Sequence, residues 1–433
     1  MTHLQIGILG FVFLLLLLSS GMPVAFVMAL VGAAGYAYMR TLPSSLYMVS
    51  ADIFDNFTNY TLSVIPLFVF MGQIAFHSGI SRRLFDTTYK WMGHWPGGMA
   101  MSTIGACTAF GAICGSGPAT AATMASVVLP EMKRYKYDMG LATGAVASGG
   151  GLGMMIPPSV VFIVYAILTE QSIGKLFISG ILPGLLIAFL FCGTIYIQCK
   201  RKPSMGPAGP RFKMTEKLAS LGGVAETLIL FFAVMGGMFA GFFTPTEAAA
   251  VGAGGSLVIA AIQKKLTLRI LLQSLRETIR TSCMVIIIVT GAVIFGHFLA
   301  ITRMPTEIAE GLGALPLPGW AIMGLIILFY LIAGCFVDAL ALVFLTVPIF
   351  YPVVLKLGYD PIWFGVVIVL VTQMGVITPP VGVNAYVVGG MERSVPLQTI
   401  FRGCMPFLAA LAVAAVLLIL IPGIALWLPN MTH

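Results

Sequence analysis

Long apolar segments, separated by short polar connections, run through almost the whole chain. Most of them hold about 20 predominantly apolar residues, the length at which an α-helix crosses the hydrocarbon core of a bilayer. They lack the alternation of apolar and polar positions over roughly ten residues that is typical of strands in a membrane barrel. The pattern therefore predicts an all-α integral membrane protein.

The residues that interrupt this pattern recur at one constant spacing. Pro96–Gly97, Pro130, Asp138 and Pro157–Pro158 reappear 222 positions later as Pro318–Gly319, Pro352, Asp360 and Pro379–Pro380. A single shift shared by so many positions indicates an internal duplication. Secondary transporters are often built from such repeats, inserted in opposite orientations and broken near the middle of the membrane. We therefore expect a transporter with inverted repeats.

Composition and charge support the membrane assignment. The chain is 59% hydrophobic and 9% charged, with a mean hydropathy of +1.02, whereas soluble domains carry about 25% charged residues. Its net charge of +8 comes largely from cations grouped at 82–90, 133–136, 200–217 and 264–280. The positive-inside rule places these loops in the cytoplasm, so the charge is a signal of topology and not of nucleic-acid binding.

The charge map predicts an outer loop at 40–60, two re-entrant hairpins and about ten transmembrane crossings, among them 281–302 and 404–428. The first hairpin leaves the cytoplasmic side at Gly97, turns at Gly115–Pro118 and is back at cytoplasmic cations by Lys133. The second enters from outside near Gly319, turns at Gly334–Asp338 and leaves on the outer side again. The arms of the first hairpin are short for full crossings, which favours a re-entrant hairpin over two transmembrane helices. The two hairpins are therefore expected to be opposed.

The same map divides the chain into four regions. We expect scaffold helices in 1–80, the first repeat in 81–199, connecting scaffold helices with basic loops in 200–280, and the second repeat in 281–433. Three segments are amphipathic and suit the membrane surface: 81–95, 266–280 and 303–315. Because the first and last of these each precede a hairpin, they are either interfacial anchors or arms that link a moving core to a fixed frame.

Each repeat interrupts its helices twice, at the hairpin tip and at the proline pair. Proline lacks an N–H donor and clashes with the preceding turn, so carbonyl oxygens are left without helical partners. Such oxygens and nearby hydroxyls suit Na⁺, while the N–H groups at half-helix N-termini suit a carboxylate. Two cation sites with an anion pocket between them are therefore expected. The predicted sodium ligands are Gly115, Ser116, Pro157, Pro158 and Ser159 in the first repeat, and Asp338, Thr378 and Pro379 in the second.

Asp338 is the most informative single side chain. It is the only charged residue in the apolar stretch 319–355, and an acid at that depth is costly and usually functional. We favour cation coordination over a solvated helix end. The candidate substrate-binding residues are Ser116 at the first tip, Asn384 beyond the second proline pair, and Arg303 at the outer end of the second repeat. Asn384 would serve equally well in helix packing, and Arg303 in snorkelling to the interface.

Several segments resemble a known family. The sequences GSGPATAATMASVVLPEM (115–132), GLGMMIPPSVVFIVYA (151–166), FTPTEAAAVGA (243–253) and ITPPVGVNAYVV (377–388) are similar to the large membrane subunit, of the DctM and SiaM type, of tripartite ATP-independent periplasmic (TRAP) transporters. The resemblance spans nearly the full chain. It implies an elevator-type, Na⁺-driven carrier in the bacterial inner membrane.

The resemblance also implies partners, substrates and site residues. The partners would be a small four-helix membrane subunit and a periplasmic substrate-binding protein. The substrates would be carboxylates such as C4-dicarboxylates or sialic acids. Carried over to this chain, Ser116 and its neighbours, Pro157–Ser159, Asp338 and Thr378–Asn384 would line the Na⁺ and substrate sites. Many relatives have a second hydroxyl where this chain has Gly117, so no side-chain ligand is assigned there.

Other functional classes fit the sequence less well. A stand-alone sodium/dicarboxylate symporter, or a cation antiporter of similar architecture, is the alternative transporter. An intramembrane enzyme lacks support, because the sequence shows no catalytic pair or metal cluster at mid-membrane depth. We therefore expect no catalytic residue, no cofactor and no metal other than Na⁺ as coupling ion. The expected partners include the lipid bilayer but no nucleic acid.

Overall fold

Helices make up the folded chain throughout. The computed structural model describes residues 2–314 and 317–431, with side chains except at 312–314. Within these ranges the chain forms 22 α-helices and no strand, which confirms the all-α prediction. The helices up to the end of the first repeat are α1 (His3–Ser19), α2 (Val24–Met39), α3 (Leu42–Thr58), α4 (Val64–His77), α5 (Ile80–Met92), α6 (Gly98–Cys114), α7 (Gly117–Arg134), α8 (Met139–Gly150), α9 (Leu152–Met155), α10 (Val160–Thr169) and α11 (Ile173–Arg201).

The rest of the chain continues in the same way. Its helices are α12 (Met214–Phe231), α13 (Gly237–Phe239), α14 (Pro245–Ile262), α15 (Leu268–Thr302), α16 (Met304–Ala314), α17 (Gly319–Gly334), α18 (Ala339–Lys356), α19 (Pro361–Gly375), α20 (Val383–Met391), α21 (Leu397–Leu420) and α22 (Gly423–Met431). A π-helical turn, Phe232–Gly236, joins α12 to α13. Two short 3₁₀ turns lie at Tyr60–Ser63 and Pro203–Met205.

Many helices begin at a polar residue whose side chain accepts a hydrogen bond from the first turn. Thr244 and Thr267 cap α14 and α15 in this way. Asp138 caps α8, and Asp360 caps α19. An uncapped helix start leaves backbone N–H groups without partners, which is costly in a membrane. The duplication thus places the same kind of cap at the start of the same helix in both copies.

The punctuating residues of the two repeats occupy equivalent places. The first hairpin consists of α6 and α7, which meet at Gly115–Ser116, and the second consists of α17 and α18, which meet at Cys335–Asp338. Both tips are thus where the sequence predicts them. The two proline pairs interrupt a helix between α9 and α10 and between α19 and α20.

Glycines let each hairpin approach its broken helix backbone to backbone. In the first repeat Gly111 of α6 packs against Gly153 of α9. In the second repeat Gly334 of α17 packs against Gly375 of α19. Gly153 and Gly375 are again 222 positions apart. Small residues at such crossings are typical of helix packing in membranes, where close van der Waals contact replaces the hydrophobic effect.

The base of the first hairpin and the helix that follows the second hairpin contact opposite ends of α11. Gly97, at the base of the first hairpin, packs on Ile195 and Cys199 near the C-terminus of α11. Gly365, in the helix that follows the second hairpin, packs on Leu176 near the N-terminus of α11. About 20 residues of helix separate these contacts, or about 30 Å, which is the thickness of the hydrocarbon core. The hairpins therefore enter from opposite faces, as the charge map predicts.

Polar contacts join each hairpin to the other repeat. Lys133 Nζ, at the end of α7, lies 3.5 Å from Glu392 Oε1 and donates to Ser394 Oγ at 3.1 Å. On the opposite face, Gln171 Nε2 donates to Tyr351 Oη of α18 at 3.1 Å. Gln171 and Glu392 both follow the second half of a broken helix, so the two contacts join corresponding parts of the two repeats. The two repeats thereby interlock into one core.

The remaining helices form a scaffold beside this core. Its centre is the pair α2 and α15, which pack closely because both helices carry glycine at the crossing. Gly291 of α15 lies against the carbonyl oxygen of Ala25, and Gly32 of α2 lies against the backbone of Phe295. A side chain at either glycine would separate the helices.

α5 contacts both the scaffold and the core. The Arg83 guanidinium donates to Glu226 of α12 at 3.0 Å and to Gln263, just after α14, at 2.6 Å. Further along the same helix, Thr88 Oγ1 donates to the Ser102 carbonyl of α6 at 2.9 Å. These bonds fit the interpretation of the segment 81–95 as an arm better than that of a simple interfacial anchor.

Three segments differ from the expected elements. Residues 42–58, expected in an outer loop, form α3, which starts at the capping residue Thr41. The expected surface segment 266–280 and the crossing 281–302 form the single helix α15, since no Pro or Gly lies near their junction. The expected crossing 404–428 is divided into α21 and α22 at Ile421–Pro422, because a proline disfavours the helical conformation of the residue before it.

Within the described residues, eight helical segments are long and apolar enough to cross a membrane, judged by length and composition. The expected number of about ten crossings stays a prediction. Part of the predicted division lies outside the described residues: position 315 in the segment 303–315, position 316, and positions 1, 432 and 433 at the ends of the first and last regions.

The contact between α8 and α21 gives a test of this packing. A Cβ at Gly403 of α21 would lie 1.9 Å from the Gly140 carbonyl oxygen of α8. Gly403→Val should therefore lower the free energy of unfolding by about 2 kcal/mol or more, because the helices must separate. Gly324→Val is the control, since no atom lies within 4 Å of a Cβ there. Equal melting temperatures for the two variants in detergent would contradict the close crossing.

Candidate functional site

A cavity separates the scaffold from the two hairpin tips. Its volume is about 610 Å³. The scaffold wall comes from α2, α4 and α15, through residues such as Val24, Gly72 and Val285. The core wall comes from the tips, through residues 114–119 of the first hairpin and 338–341 of the second. The tips thus meet at one space, although their hairpins start on opposite faces of the membrane.

The first tip presents a helix N-terminus to the cavity. Gly115 has a φ of 65°, a left-handed conformation that lets the chain reverse between α6 and α7. Ser116 is the residue before α7, and its side chain makes no capping hydrogen bond. The first turn of α7, Gly117–Ala119, also lines the cavity. First-turn N–H groups lack helical partners and form the positive end of the helix dipole, so this tip is suited to an anion.

The second tip presents a carboxylate. Asp338 caps α18, and its Oδ2 accepts a hydrogen bond from the Leu340 N–H at 3.1 Å. Asp338 is the only charged residue among those that line the cavity. None of the ion pairs in the described part of the chain includes it. A carboxylate at this depth without a positive partner is costly, so this tip is suited to a cation.

Ser116 and Asp338 are equivalent positions. They lie 222 residues apart, and each is the residue that precedes the second helix of its hairpin. The two tips therefore share a backbone plan but differ by one unit of charge at the same place. This difference gives the cavity a side that attracts anions and a side that attracts cations.

Each tip is bonded to the proline break of its own repeat. In the first repeat the Val160 N–H donates to the Gly115 carbonyl at 3.3 Å, and Pro158 O lies directly against Gly115. In the second repeat the Val381 N–H donates to the Cys335 carbonyl at 3.1 Å. The structure thus brings Gly115 and Ser116 together with Pro157–Ser159, and the Asp338 tip together with the break that contains Thr378 and Pro379.

The two hydroxyls at the breaks are already hydrogen-bonded as donors. Ser159 Oγ donates to the Met154 carbonyl, and Thr378 Oγ1 donates to the Met374 carbonyl at 2.7 Å. In both cases the acceptor is a carbonyl of the broken helix itself. Because a hydroxyl oxygen has two lone pairs, each can still act as a ligand for a cation.

Two predicted substrate residues lie away from the cavity. Arg303 is exposed at the end of α15, about 22 Å along the helix axis from Ile288, the last cavity-lining residue of that helix. Asn384 is fully buried, and its Nδ2 donates to the Ala147 carbonyl of α8 at 3.0 Å. Neither is among the residues that line the cavity. Asn384 serves the packing of one repeat on the other.

Gln373 is a polar residue that sequence reasoning missed. It is fully buried in α19, and neither Oε1 nor Nε2 has a hydrogen-bond partner among the described residues. Its side chain lies against Gly151, one helical turn from the Ala147 carbonyl that Asn384 contacts. Two amides of the second repeat therefore face the same stretch of the first. The sequence feature that could have identified it is that Gln373 is the only amide side chain in the apolar run 361–377.

Comparison with known proteins identifies the family. A family profile described as "Tripartite ATP-independent periplasmic transporter, DctM component" matches residues 11–424. The chain belongs to this family. The resemblance noted in the sequence motifs is thereby confirmed, and the DctM component is a multi-pass membrane permease whose apolar helices are consistent with the bacterial inner membrane.

Relatives of this DctM component carry names for several substrates. It is 37% identical over 389 residues to the "C4-dicarboxylate TRAP transporter large permease protein DctM" of Pseudomonas aeruginosa, which covers 90% of each chain. It is 32% identical over 416 residues to the "Sialic acid TRAP transporter large permease protein SiaM" of Vibrio cholerae, with 96% of each chain covered. It is 34% identical over 413 residues to the "Isethionate TRAP transporter permease protein DctMQ" of Oleidesulfovibrio alaskensis, over 95% of this chain and 64% of that longer protein.

The fold of the DctM component has a counterpart among solved structures. The crystal structure of the Alcanivorax borkumensis YdaH transporter superposes with a TM-score of 0.64 and covers 88% of this chain and 89% of its own. The sequences are 14% identical, so the likeness concerns the fold alone. It supports the all-helical transporter architecture.

Gln373 provides a test of the buried amides. Gln373→Met keeps the length of the side chain and removes two polar atoms without partners, so it should raise the free energy of unfolding by about 1 kcal/mol or more. Gln171→Met is the control, because Gln171 Nε2 donates to Tyr351 Oη and the Thr169 carbonyl, and its loss should destabilise the protein. Thermal unfolding of both variants in detergent makes the comparison. A destabilised Gln373→Met protein would mean that the amide holds a water molecule or an ion.

Proposed function

We propose that this DctM component imports an organic acid together with Na⁺ by an elevator movement of its core. The observation that carries the proposal is the convergence of two oppositely inserted tips on one cavity. One tip offers an open helix N-terminus, and the other offers the unpaired carboxylate of Asp338. Such a pairing of half-helix ends with backbone oxygens is how many secondary transporters hold an anion beside a coupling cation.

Na⁺ supplies the positive charge that the second tip lacks. Asp338 is the anionic ligand, and the carbonyl and hydroxyl oxygens of Thr378 and Pro379 complete the oxygen set. In the first repeat the equivalent set comes from Gly115, Ser116 and Pro157–Ser159. All these ligands are hard oxygens, and together with one carboxylate they suit a small monovalent cation.

The substrate acid binds on the side of the first tip. No Lys or Arg is among the cavity-lining residues, so the anion relies on the N–H groups of Gly117 and Ala119 and on the Ser116 hydroxyl. When Na⁺ is absent, the negative charge of Asp338 repels the substrate anion across the cavity. With Na⁺ bound, that repulsion is removed. Each ligand therefore raises the affinity for the other, which is the basis of coupling.

The substrate class follows from the cavity and from the relatives. A volume of about 610 Å³ lies in the usual range for small-molecule sites. The related permeases are named for C4-dicarboxylates, sialic acid and isethionate, all of which carry an acidic group. We infer a carboxylate or a comparable organic acid.

An elevator movement suits the division between core and scaffold. The two repeats are joined to each other by the contacts of Lys133 and Gln171, so they can move as a body. The cavity lies at the boundary of this body with α2, α4 and α15. α5 joins the two parts through Arg83 and Thr88, which is the connection an arm would make.

The proposed partners are a small four-helix membrane subunit and a periplasmic binding protein. The relatives named large permease proteins are similar to this chain in length, and the longer relative is named DctMQ. A stand-alone sodium/dicarboxylate symporter is the alternative. Uptake by this chain without a binding protein would favour that alternative.

Asp338→Asn tests the cation site. Asn can still cap α18, so the fold should persist while the charge is lost. The concentration of Na⁺ that gives half-maximal uptake should rise at least about tenfold, equivalent to about 1.4 kcal/mol of lost binding. Asp360→Asn is the matched control, because Asp360 caps α19 outside the cavity. An unchanged response to Na⁺ in the Asp338 variant would remove this carboxylate from the site.

Gly72→Cys tests the elevator movement. Gly72 of α4 lies so close to the first tip that a Cβ there would be 3.1 Å from Cys114 Cα. On oxidation, a disulfide between the new cysteine and Cys114 should join scaffold and core and abolish uptake. Reduction of this disulfide should restore uptake. Gly72→Cys combined with Cys114→Ser should not respond. Full uptake by the quantitatively crosslinked protein would exclude movement of the tip past α4.

A further inference from the structure

A large apolar groove lies between core and scaffold, apart from the substrate cavity. It has a volume of about 1130 Å³, and its walls come from α6, α11 and α12 through residues such as Ile104, Leu185 and Phe231. It includes no residue of either hairpin tip. A groove of this size exposes a contiguous apolar surface, and such surfaces mark binding sites for lipid or for a partner protein.

The shape of the groove suits an extended apolar chain. It follows α11 from Ile181 to Tyr196, which is about 22 Å at 1.5 Å per residue. Half of the hydrocarbon core measures about 15 Å, so the groove extends from one interface past the middle of the bilayer. Along this path Leu185 and Phe189 remain 51% and 75% exposed. The groove is thus open to the surrounding lipid.

The mouth of the groove lies at the cation-rich face. His94, Trp95 and Arg211 line it, next to the base of the first hairpin. The loop that carries Arg211 is fastened there by backbone hydrogen bonds. The Gly97 N–H donates to the Gly206 carbonyl at 2.9 Å, and the Gly209 N–H donates to the Gly93 carbonyl at 2.8 Å. Arg211 is therefore held at the depth of the lipid headgroups.

The cations at this mouth lack anionic partners. Lys217 Nζ lies 5.8 Å from the centre of the Trp91 ring, and Lys200 Nζ lies 5.8 Å from the centre of the Tyr196 ring. In the described part of the chain, Arg211, Lys217 and Lys200 take part in no ion pair. Burial, and then the charges of Lys217 and Arg211, lower the pKa of His94, which marks these two cations as neighbours.

We propose that this groove is a binding site for an anionic phospholipid of the cytoplasmic leaflet. Its acyl chains lie along α6, α11 and α12, and its phosphate lies between Arg211 and Lys217. Charge complementarity selects this occupant: an apolar helix of a partner protein would cover the walls but would leave the cations unpaired. Clustered Lys and Arg at the cytoplasmic interface are the usual recognition element for anionic lipid headgroups.

The headgroup contact is tested by counting bound lipids. The chain, with the subunits that co-purify, is exposed to equal amounts of phosphatidylglycerol and phosphatidylethanolamine in detergent, and retained lipid is measured by native mass spectrometry. Arg211→Gln with Lys217→Gln should reduce the retained phosphatidylglycerol about thirtyfold, from two contacts of about five- to sixfold each. Lys265→Gln with Arg269→Gln removes the same charge from another cytoplasmic region, around the start of α15, and should change nothing.

The acyl part is tested by filling the groove. Gly193 of α11 lines it, and no atom lies within 4 Å of a Cβ at Gly193. Gly193→Phe should therefore displace both phosphatidylglycerol and phosphatidylethanolamine without disturbing the fold. Gly324→Phe is the control: its site is equally free of neighbours but lies outside the groove, so it should displace neither lipid. Equal lipid retention in the Gly193 and Gly324 variants would overturn the proposal. A Gly193→Cys variant that crosslinks to a co-purifying subunit in the lipid-bound complex would also overturn it.

Discussion

Backbone groups in hydrocarbon must find partners inside the protein, and the rest of this structure depends on how that requirement is met at four breaks. The proline pairs and the hairpin tips both interrupt helical hydrogen bonding. In each repeat an N–H just after the prolines donates to a carbonyl at the tip, from Val160 to Gly115 and from Val381 to Cys335. The break and the tip are therefore stabilised by each other. Neither would persist alone in lipid, and together they leave polar backbone facing one cavity.

Glycine makes these mutual contacts possible. Gly111 with Gly153, and Gly334 with Gly375, bring each hairpin close enough to its broken helix for the backbone bonds to form. The core then closes through side chains that join one repeat to the other, such as Asn384 on Ala147. A core assembled in this way is rigid inside and has its polar interruptions at the surface that faces the scaffold. Under the proposed elevator movement, this arrangement would let the core move while its site keeps its geometry.

The duplication supplies the plan of the site, and one substitution between the copies supplies its polarity. Ser116 and Asp338 are at the same place in the two tips, yet one leaves a helix N-terminus open and the other adds a carboxylate. At low dielectric a difference of one charge is large. The same boundary between core and scaffold carries a second feature, the groove whose mouth is marked by Arg211. The ion, the substrate and the lipid would thus all bind at the boundary between the core and the scaffold.

The membrane class, the duplication, the opposed hairpins and both proline breaks can be read from the sequence alone, because apolar length, charge distribution and proline act locally along the chain. It also singled out Asp338, since a lone acid in an apolar run is visible without coordinates. Local signals do not encode which distant segments meet. The packing of the helices was needed to show that Arg303 lies far from the cavity, that Asn384 packs one repeat on the other, and that the described residues leave the Gln373 amide without a partner. Each of these depends on contacts between residues far apart in the chain, and such contacts form only when the helices pack.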